Sequence, residues 1–426
     1  MAQRLASWAS PRFVRRWAST MNPARRDPDA TSAPAALPAA SATSHNLPRA
    51  FFVDPDIHRR DLERLFLGHW IVAGHVASIP RQGDYFLYDL GVESFVISRG
   101  ERDAVHACVN VCRHRGSRVA IEEYGHCREL VCPMHAWTYA QDGKLVAAPN
   151  MPPDFDRDSL GLLRAHVEVV SGVIFLCLDA PPDVAPLRRD IEAALAQYDF
   201  AHTRIAYHRR YLCPANWKLI QQCFLELHAS VGSFPEMCRV MLKSETAATG
   251  DPSLHRKYEA FAAAWQRDAN RQPIAASHTT ADRALDYTCR REPIRPGFAT
   301  QSETGAAIAP LLGSQTASDG GFAVIRVLAS WIVVCADYAV IVRLTPLEPQ
   351  VTEIDVTWLV RTSAVEGADY DAPRLSWLWR ANVERVLKLA SDNQLGVNAT
   401  RYLPGPFAAD EAEIGTWVAW YLARLA

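Results

Sequence analysis

Residues 112–119, CRHRGSRV, and residues 132–149, CPMHAWTYAQDGKLVAAP, are the two stretches on which the reading of this chain turns. Each sets a cysteine and a histidine in one short polar turn. Cys112 and His114 form C-x-H, Cys132 and His135 form C-x-x-H, and seventeen residues separate His114 from Cys132. Gly116 and Pro133 suit tight loops. The surrounding segments YFLYDL, SFVISR, AVHACVNV, ELVCPM, KLVAA, VEVVSG and VIFLCL are short and apolar or alternating. Gly83-Asp84, Gly100, Asp142-Gly143 and Gly172 punctuate them. Many short strands at close spacing predict a small antiparallel β domain over 70–180.

Two thiolates and two imidazoles, one of each per loop, can ligate a [2Fe–2S] centre of the Rieske type. One iron takes both cysteines and the other both histidines. Neutral imidazoles in place of two thiolates raise the potential above that of all-cysteine clusters, to roughly −150 to +300 mV. A structural Cys2His2 zinc site is the competing reading. Zinc spacing usually pairs Cys with Cys and His with His, whereas each short pair here is mixed. Chance placement within a β core is the third reading.

Outward from this motif the chain is ordinary. It has 426 residues, enough for two or three domains, with 49% hydrophobic and 22% charged residues and a net charge of −2. That balance excludes a basic nucleic-acid binder. No apolar run approaches the roughly 18–20 residues of a membrane span, so a soluble protein is expected. Ten cysteines are too sparse for a secreted disulfide scaffold, and Cys177 and Cys335 lie inside apolar runs. A reducing compartment, the cytoplasm, is expected. Residues 1–26 contain six arginines and no acid, as a transit peptide would. A plain N-terminal tail, or translation from Met21, is the favoured reading. With the Ala/Pro/Ser-rich stretch 27–48 this predicts a disordered tail and linker over 1–46.

A short amphipathic helix is expected over 56–67. After Ala180 the texture changes. Helical patterns cover 186–198, 214–231, 372–395 and 410–425. Residues 245–320 are polar without a clear period. Strands follow in FAVIRVLASWIVVCAD, AVIVRLTPL and EIDVTWLVRT. The fold class is α+β, with a cluster domain at 47–182 and a larger domain at 183–426.

The two cluster stretches resemble the Rieske domain of the ring-hydroxylating, or Rieske non-haem iron, oxygenases. That family's pattern is C-x-H-R-G, then C-P-x-H-G-W-x-Y with a D-G-x-L turn. Arg115, Gly116, Trp137, Tyr139, Asp142, Gly143 and Leu145 match. Ala136 stands where the family has Gly, a departure expected to tighten one loop. Residues 47–70 are similar to the family's leading helix and first strand. Respiratory-chain Rieske proteins carry an extra cysteine pair beside the ligands. Residues 113–118 and 133–138 hold none, so Cys108 and Cys127 are expected to be packing residues. The resemblance covers about 47–426 and implies a helix-grip catalytic-type domain, an antiparallel sheet with a long helix over it.

The resemblance also implies a second site, one Fe(II) held by two histidines and a carboxylate with open positions for O₂. Asn216-Trp217-Lys218, Phe224-Leu225-Glu226 and Pro235 match its frame. Glu226 takes the place of the carboxylate that bridges a neighbouring subunit's Rieske histidine to the iron. The ligand positions hold Ala229, Phe234 and, eight residues before Gln394, Val386. None can bind a metal. His228 has no histidine five residues on, and Glu384 points about 160° away from position 386 on a helix. A chain without a conventional mononuclear iron is expected.

Three functions follow as expectations. The first is an oxygenase-component subunit that takes electrons from a ferredoxin or flavin reductase and relays them to a catalytic homologue, in a homo- or hetero-trimer. The second is an active mono- or dioxygenase with non-standard iron ligands. The third is a cluster-binding redox or regulatory protein. Glu at 226 and the Y-x-P-G-P tail look more like the choline, betaine and carnitine branch than the arene dioxygenases.

Overall fold

In the computed structural model of this protein, residues 44–152, 154–226, 232–268, 275–277, 279, 283–408 and 411–425 are described. The tail reading of 1–46 therefore falls almost wholly outside the described residues. Residues 38–426 form one compact unit.

The expected leading helix is broken into pieces. Helix α1 (Ala50–Val53) passes into α2 (Pro55–Asp61), where Asp54 accepts the N–H groups of Asp56 and Ile57 and Pro55 starts the first turn. A π-helical turn, Leu62–Phe66, closes it and buries Leu65 and Phe66.

The cluster domain is built from short antiparallel strands, as the sequence predicts. They are β1 (Ile71–His75), β2 (Asp84–Leu90), β3 (Glu93–Arg99), β4 (Val105–Val109), β5 (Tyr124–His126), β6 (Leu130–Val131), β7 (Thr138–Tyr139), β8 (Leu145–Ala147), β9 (His166–Val170) and β10 (Val173–Cys177). They make three sheets, ordered β4-β3-β2-β5, β6-β7-β8 and β1-β10-β9. All ten cysteines are free, so Cys108 and Cys127 form no disulfide.

Next comes α3 (Ala185–Leu195), which buries Leu187, Ile191, Ala194 and Leu195. Strand β11 (Thr203–Cys213) leads into α4 (Trp217–Leu225), whose N-cap is Asn216, accepting the Lys218 N–H at 3.0 Å. Helix α4 ends at Leu225, where Glu226 leaves helical geometry at φ −109°, ψ 20°, and residues 227–231 of the expected helix lie outside the described residues. Helix α5 (Pro235–Val240) follows.

The expectation of an irregular 245–320 is corrected. Helices α6 (Leu242–Thr249) and α7 (Pro252–Arg267) and strands β12 (Ala275–Ser277) and β13 (Tyr287–Pro293) lie there. Helix α7 sets Leu254, Tyr258, Phe261 and Trp265 along one face, with Trp265 buried, a helical spacing passed over among polar residues. The loop 294–320 is irregular, and buried Asp337 organises it. Its carboxylate accepts the Thr300 hydroxyl at 2.5 Å and the N–H groups of Ile308 and Ala309 at 2.7 and 3.2 Å.

Strands β14 (Gly321–Val327), β15 (Ser330–Val334), β16 (Tyr338–Glu348) and β17 (Val351–Arg361) complete a seven-stranded antiparallel sheet, ordered β11-β17-β16-β15-β14-β13-β12. The long helix α8 (Ala372–Asn398) packs on α4 and β11, and α9 (Ala412–Leu425) packs on α4. This is the expected α+β helix-grip arrangement. Among the described residues no helix is long and apolar enough to cross a membrane.

The core does not respect the change of texture near Ala180. Trp70, Val72, Val173, Phe175 and Cys177 from the β1-β10-β9 region share one buried cluster with α3 and with Ile325, Ile332, Ile341 and Leu359 of the large sheet. Arg343 on β16 ties the same parts together. It donates to the carbonyl of Ala73 and lies 4.6 Å from the ring centroid of Tyr88.

Candidate metal centre

The two cysteine–histidine loops have one backbone design. In the first, the Cys112 N–H donates to Ser117 O at 2.8 Å and the Gly116 N–H returns to Cys112 O at 2.9 Å. In the second, the Cys132 N–H donates to Trp137 O at 2.8 Å and the Ala136 N–H returns to Cys132 O at 3.0 Å. The offsets from the cysteine, +5 and +4, are identical. The residue at +4 is left-handed in both loops, with φ 79° at Gly116 and 55° at Ala136. Glycine adopts this freely and alanine does so at a cost. The substitution noted in the sequence is thus a strained residue in a loop that keeps its shape.

The loops bring the four candidate ligands together. Cys112 and Cys132 are each 2% exposed. His114 and His135 are exposed, with ring centroids 4.7 Å apart. The sulfurs face the domain core and the imidazoles face out. Burial pushes the Cys132 thiol up in pKa, but the N–H of Met134, Cys112, the N–H of His135 and the Ser117 hydroxyl together hold it below the ordinary thiol value. Donors aimed at a sulfur favour its anionic, metal-binding form. Among the described residues no three of His, Cys, Asp and Glu converge on a single-ion position. The residues present fit a Rieske cluster.

Sequence reasoning matched Tyr139 and Trp137 to a motif without saying what they do. The Tyr139 hydroxyl lies 3.2 Å from Cys112 Sγ and accepts the Arg113 N–H at 3.1 Å. An iron-bound Cys112 is a thiolate and carries no proton, so in the cluster-loaded protein the Tyr139 hydroxyl would be the donor. Burial, and then Cys112 itself, push the phenol's pKa up, so it remains a donor. The indole of Trp137 is stacked on the His114 imidazole, with centroids 4.8 Å apart and planes 8° from parallel.

The second site reads differently. Glu226 is described, half-buried at the end of α4, but Ala229 and His228 lie outside the described residues. Phe234 caps α5 and is 3% exposed; Val386 on α8 is fully buried. Neither side chain offers a lone pair to a metal. Glu384 lies on the outer side of α8, 3.6 Å from Arg209. Beside the apolar pair, Arg385 binds Glu236 with two hydrogen bonds of 3.0 and 2.8 Å, joining α8 to α5. Asn382, one turn before Val386, is fully buried, with neither amide atom hydrogen-bonded among the described residues.

The frame motif Asn216-Trp217-Lys218 has a packing role. Asp61 is fully buried and accepts from Trp217 Nε1 at 2.9 Å, from Tyr421 OH at 2.8 Å and from Lys218 Nζ. Burial pulls the Lys218 ammonium down in pKa and Asp61 pushes it back. The knot joins α2, α4 and α9.

Known proteins agree with this geometry. The family of Rieske [2Fe-2S] domains matches residues 69–170. The chain is 32% identical over 392 residues to the glycine betaine monooxygenase oxygenase subunit of Pseudomonas aeruginosa, spanning 90% of this chain and 89% of that one. It is 31% identical over 382 residues to the same subunit of Chromohalobacter salexigens, spanning 88% and 85%. Among solved structures, the quaternary ammonium Rieske monooxygenase CntA superposes with a TM-score of 0.68 at 17% identity, covering 91% of this chain and 98% of that one. Naphthalene 1,2-dioxygenase from a Rhodococcus species superposes at 0.59 and 17%, covering 91% and 95%. With a cluster-binding domain in its first half and homology running through both halves, the chain belongs to the Rieske oxygenase family of oxidoreductases.

Proposed function

We propose that this chain is the electron-delivering member of a mixed oxygenase assembly. Cys112 and Cys132 hold one iron of a [2Fe–2S] cluster, and His114 and His135 hold the other. When bound, the cluster supplies one-electron transfer, and its saturated irons leave no position for O₂. The protein's own part is to bury the two sulfurs, give them hydrogen-bond donors and present the two imidazoles at the surface. A ferredoxin or flavin reductase is the donor. A homologous chain with intact iron ligands is the acceptor, in a trimer where Glu226 bridges toward its neighbour.

The observation that carries this reading is the contrast between the two sites. The cluster loops carry matching backbone hydrogen bonds, whereas two of the positions expected to hold the iron carry Phe234 and Val386, both buried and without a lone pair. Iron counted on anaerobically purified protein tests it. Two irons per chain with a Rieske spectrum are expected; three per chain overturn it. Co-expression with a homologue bearing both histidines and the carboxylate should yield a mixed oligomer that turns over faster than the homologue alone.

The substrate class of such an assembly is read from the relatives. The two oxygenase subunits that span nearly this whole chain act on glycine betaine by name. They support a small quaternary ammonium compound rather than an arene as the substrate.

A further inference from the structure

Iron-bound histidines are usually oriented by a hydrogen bond from their other ring nitrogen to a carboxylate, carbonyl or water. Among the described residues neither His114 nor His135 makes such a bond. The contact that sets a plane is the indole of Trp137, stacked on His114 at 4.8 Å and 8°. Trp137 is itself 2% exposed, and its Nε1–H has no hydrogen-bond partner among the described residues. Tryptophans buried in proteins normally find one. No hydrogen bond therefore fixes the indole in its own plane, and its position depends on the groups around it. One of these is Phe155, whose ring meets the indole edge-on at 5.5 Å and 71°.

Phe155 belongs to no motif. It sits on the long connection between β8 and β9, packed with Met151 and Leu160 against the cluster-domain core. That connection is pinned on both sides. Arg157 donates to Val146 O at 3.4 Å, and Arg113, from the first cluster loop, donates to Gly161 O at 3.3 Å. The loop that carries Phe155 is thus anchored to the loop that carries His114.

We propose that Phe155 is a positioning residue for the cluster, acting through Trp137 to hold the plane of the His114 imidazole. This rests on the assignment of His114 as a cluster ligand. The aromatic order Phe155, Trp137, His114 forms a buttress in which each ring meets the next at a defined angle. When the cluster is bound, a change in the imidazole plane would alter the spectrum of its reduced form.

The test uses the full holo-protein with Phe155→Leu, Phe155→Ala and Phe155→Tyr. The readouts are the electron paramagnetic resonance g-values of the reduced cluster, its midpoint potential and the rate of cluster loss. The Leu and Ala variants are expected to shift or broaden the g-values and to lose the cluster at least threefold faster. The Tyr variant is expected to restore both. Wild-type g-values in Phe155→Leu overturn the proposal, because an aliphatic side chain would then serve as well. Lower thermal stability in Phe155→Ala with unchanged g-values also overturns it, since Phe155 would then be mere packing. Absence of a Rieske spectrum from the unsubstituted protein would instead remove the ligand assignment on which the proposal stands.

Discussion

The backbone N–H of Asn216 donates to the side-chain Oε1 of Gln394 at 2.8 Å, joining two positions 178 residues apart. Asn216 also donates from Nδ2 to Pro349 O at 2.7 Å, and Gln394 Nε2 reaches Asn398 Oδ1 at 3.0 Å. The two motifs that frame the second site in the sequence are therefore partners in space. Their bond caps α4 and braces α8 with no metal involved. This gives a structural reason for the frame to persist where the ligands do not. Gln394→Met removes the acceptor and leaves a buried N–H unpaired, at a cost of about 1–3 kcal/mol. A lower urea midpoint with an unchanged visible spectrum is expected. A midpoint equal to that of the parent would refute the role.

The hydrogen bond from Tyr139 to Cys112 Sγ should stabilise the reduced, more negative cluster more than the oxidised one. Tyr139→Phe keeps the ring and deletes the donor. The midpoint potential is expected to fall by on the order of 50 mV, the one-electron equivalent of about 1 kcal/mol. Potentiometric titration reads this directly; a potential that stays or rises counts against the assigned proton direction.

Ala136 carries strain that its counterpart Gly116 does not. Ala136→Gly should relieve about 1 kcal/mol, since the left-handed penalty of roughly 1–2 kcal/mol exceeds part of the entropy that glycine adds to the unfolded chain. Thermal melting of the holo-protein should move up by a degree or two, with slower cluster loss. A drop in melting temperature would mean that the methyl group packs productively.

Phe234 and Val386 predict an engineered gain. Val386→Asp alone places a carboxyl in a fully buried apolar position and should cost about 3 kcal/mol. Combined with Ala229→His and Phe234→His it rebuilds the two-histidine, one-carboxylate set. Iron content is then expected to rise from two to three per chain, and added Fe(II) to recover the lost stability. If the triple variant still binds two, the backbone around the site has moved too far for ligand identity alone to explain the loss.

His75 gives a pH dependence. It is buried, packed against Phe200 with the ring planes 49° apart, and its Nδ1 accepts the Ala77 N–H at 3.1 Å. Burial drives its pKa down to about 3. The folded value lies below the unfolded value of about 6.5, so the native state binds fewer protons between them. The stability held above pH 6.5 is lost as pH falls toward 3, by on the order of 3 kcal/mol or more. Burial lowers His58 and His69 in the same direction. His75→Asn keeps an acceptor for Ala77 and should flatten the acid limb of urea midpoint against pH. An unchanged slope would assign the acid loss to other groups.

The cluster loops were legible because metal ligation compresses a function into residue type and spacing. Cys112, His114, Cys132 and His135 have few other reasons to stand in that order. The helix expected over 372–395 and the strands β14 to β17 of the large sheet were legible from pattern, whereas β11, β12 and β13 of that sheet were not. Helix α7 was passed over although Leu254, Tyr258, Phe261 and Trp265 repeat at helical spacing, because polar residues make up most of the rest of it. The loop 294–320 was not legible, because Asp337, distant in sequence, dictates its course. Phe155 was invisible for the same reason. Its partner Trp137 is eighteen residues away, and no local pattern marks a ring that acts on another ring.

The core shared by β1, β9, β10 and the large sheet bears on what such a lineage can discard. On the electron-carrier reading proposed above, residues 183–426 have little chemical use of their own. Yet a fragment ending near Ala180 would strand Trp70, Val72, Phe175 and Cys177 at a bare surface, without the α3 and sheet residues that now cover them. Such a patch invites aggregation. On that reading the cluster domain keeps the larger domain because it covers this face, so loss of a second site would proceed residue by residue and not by truncation.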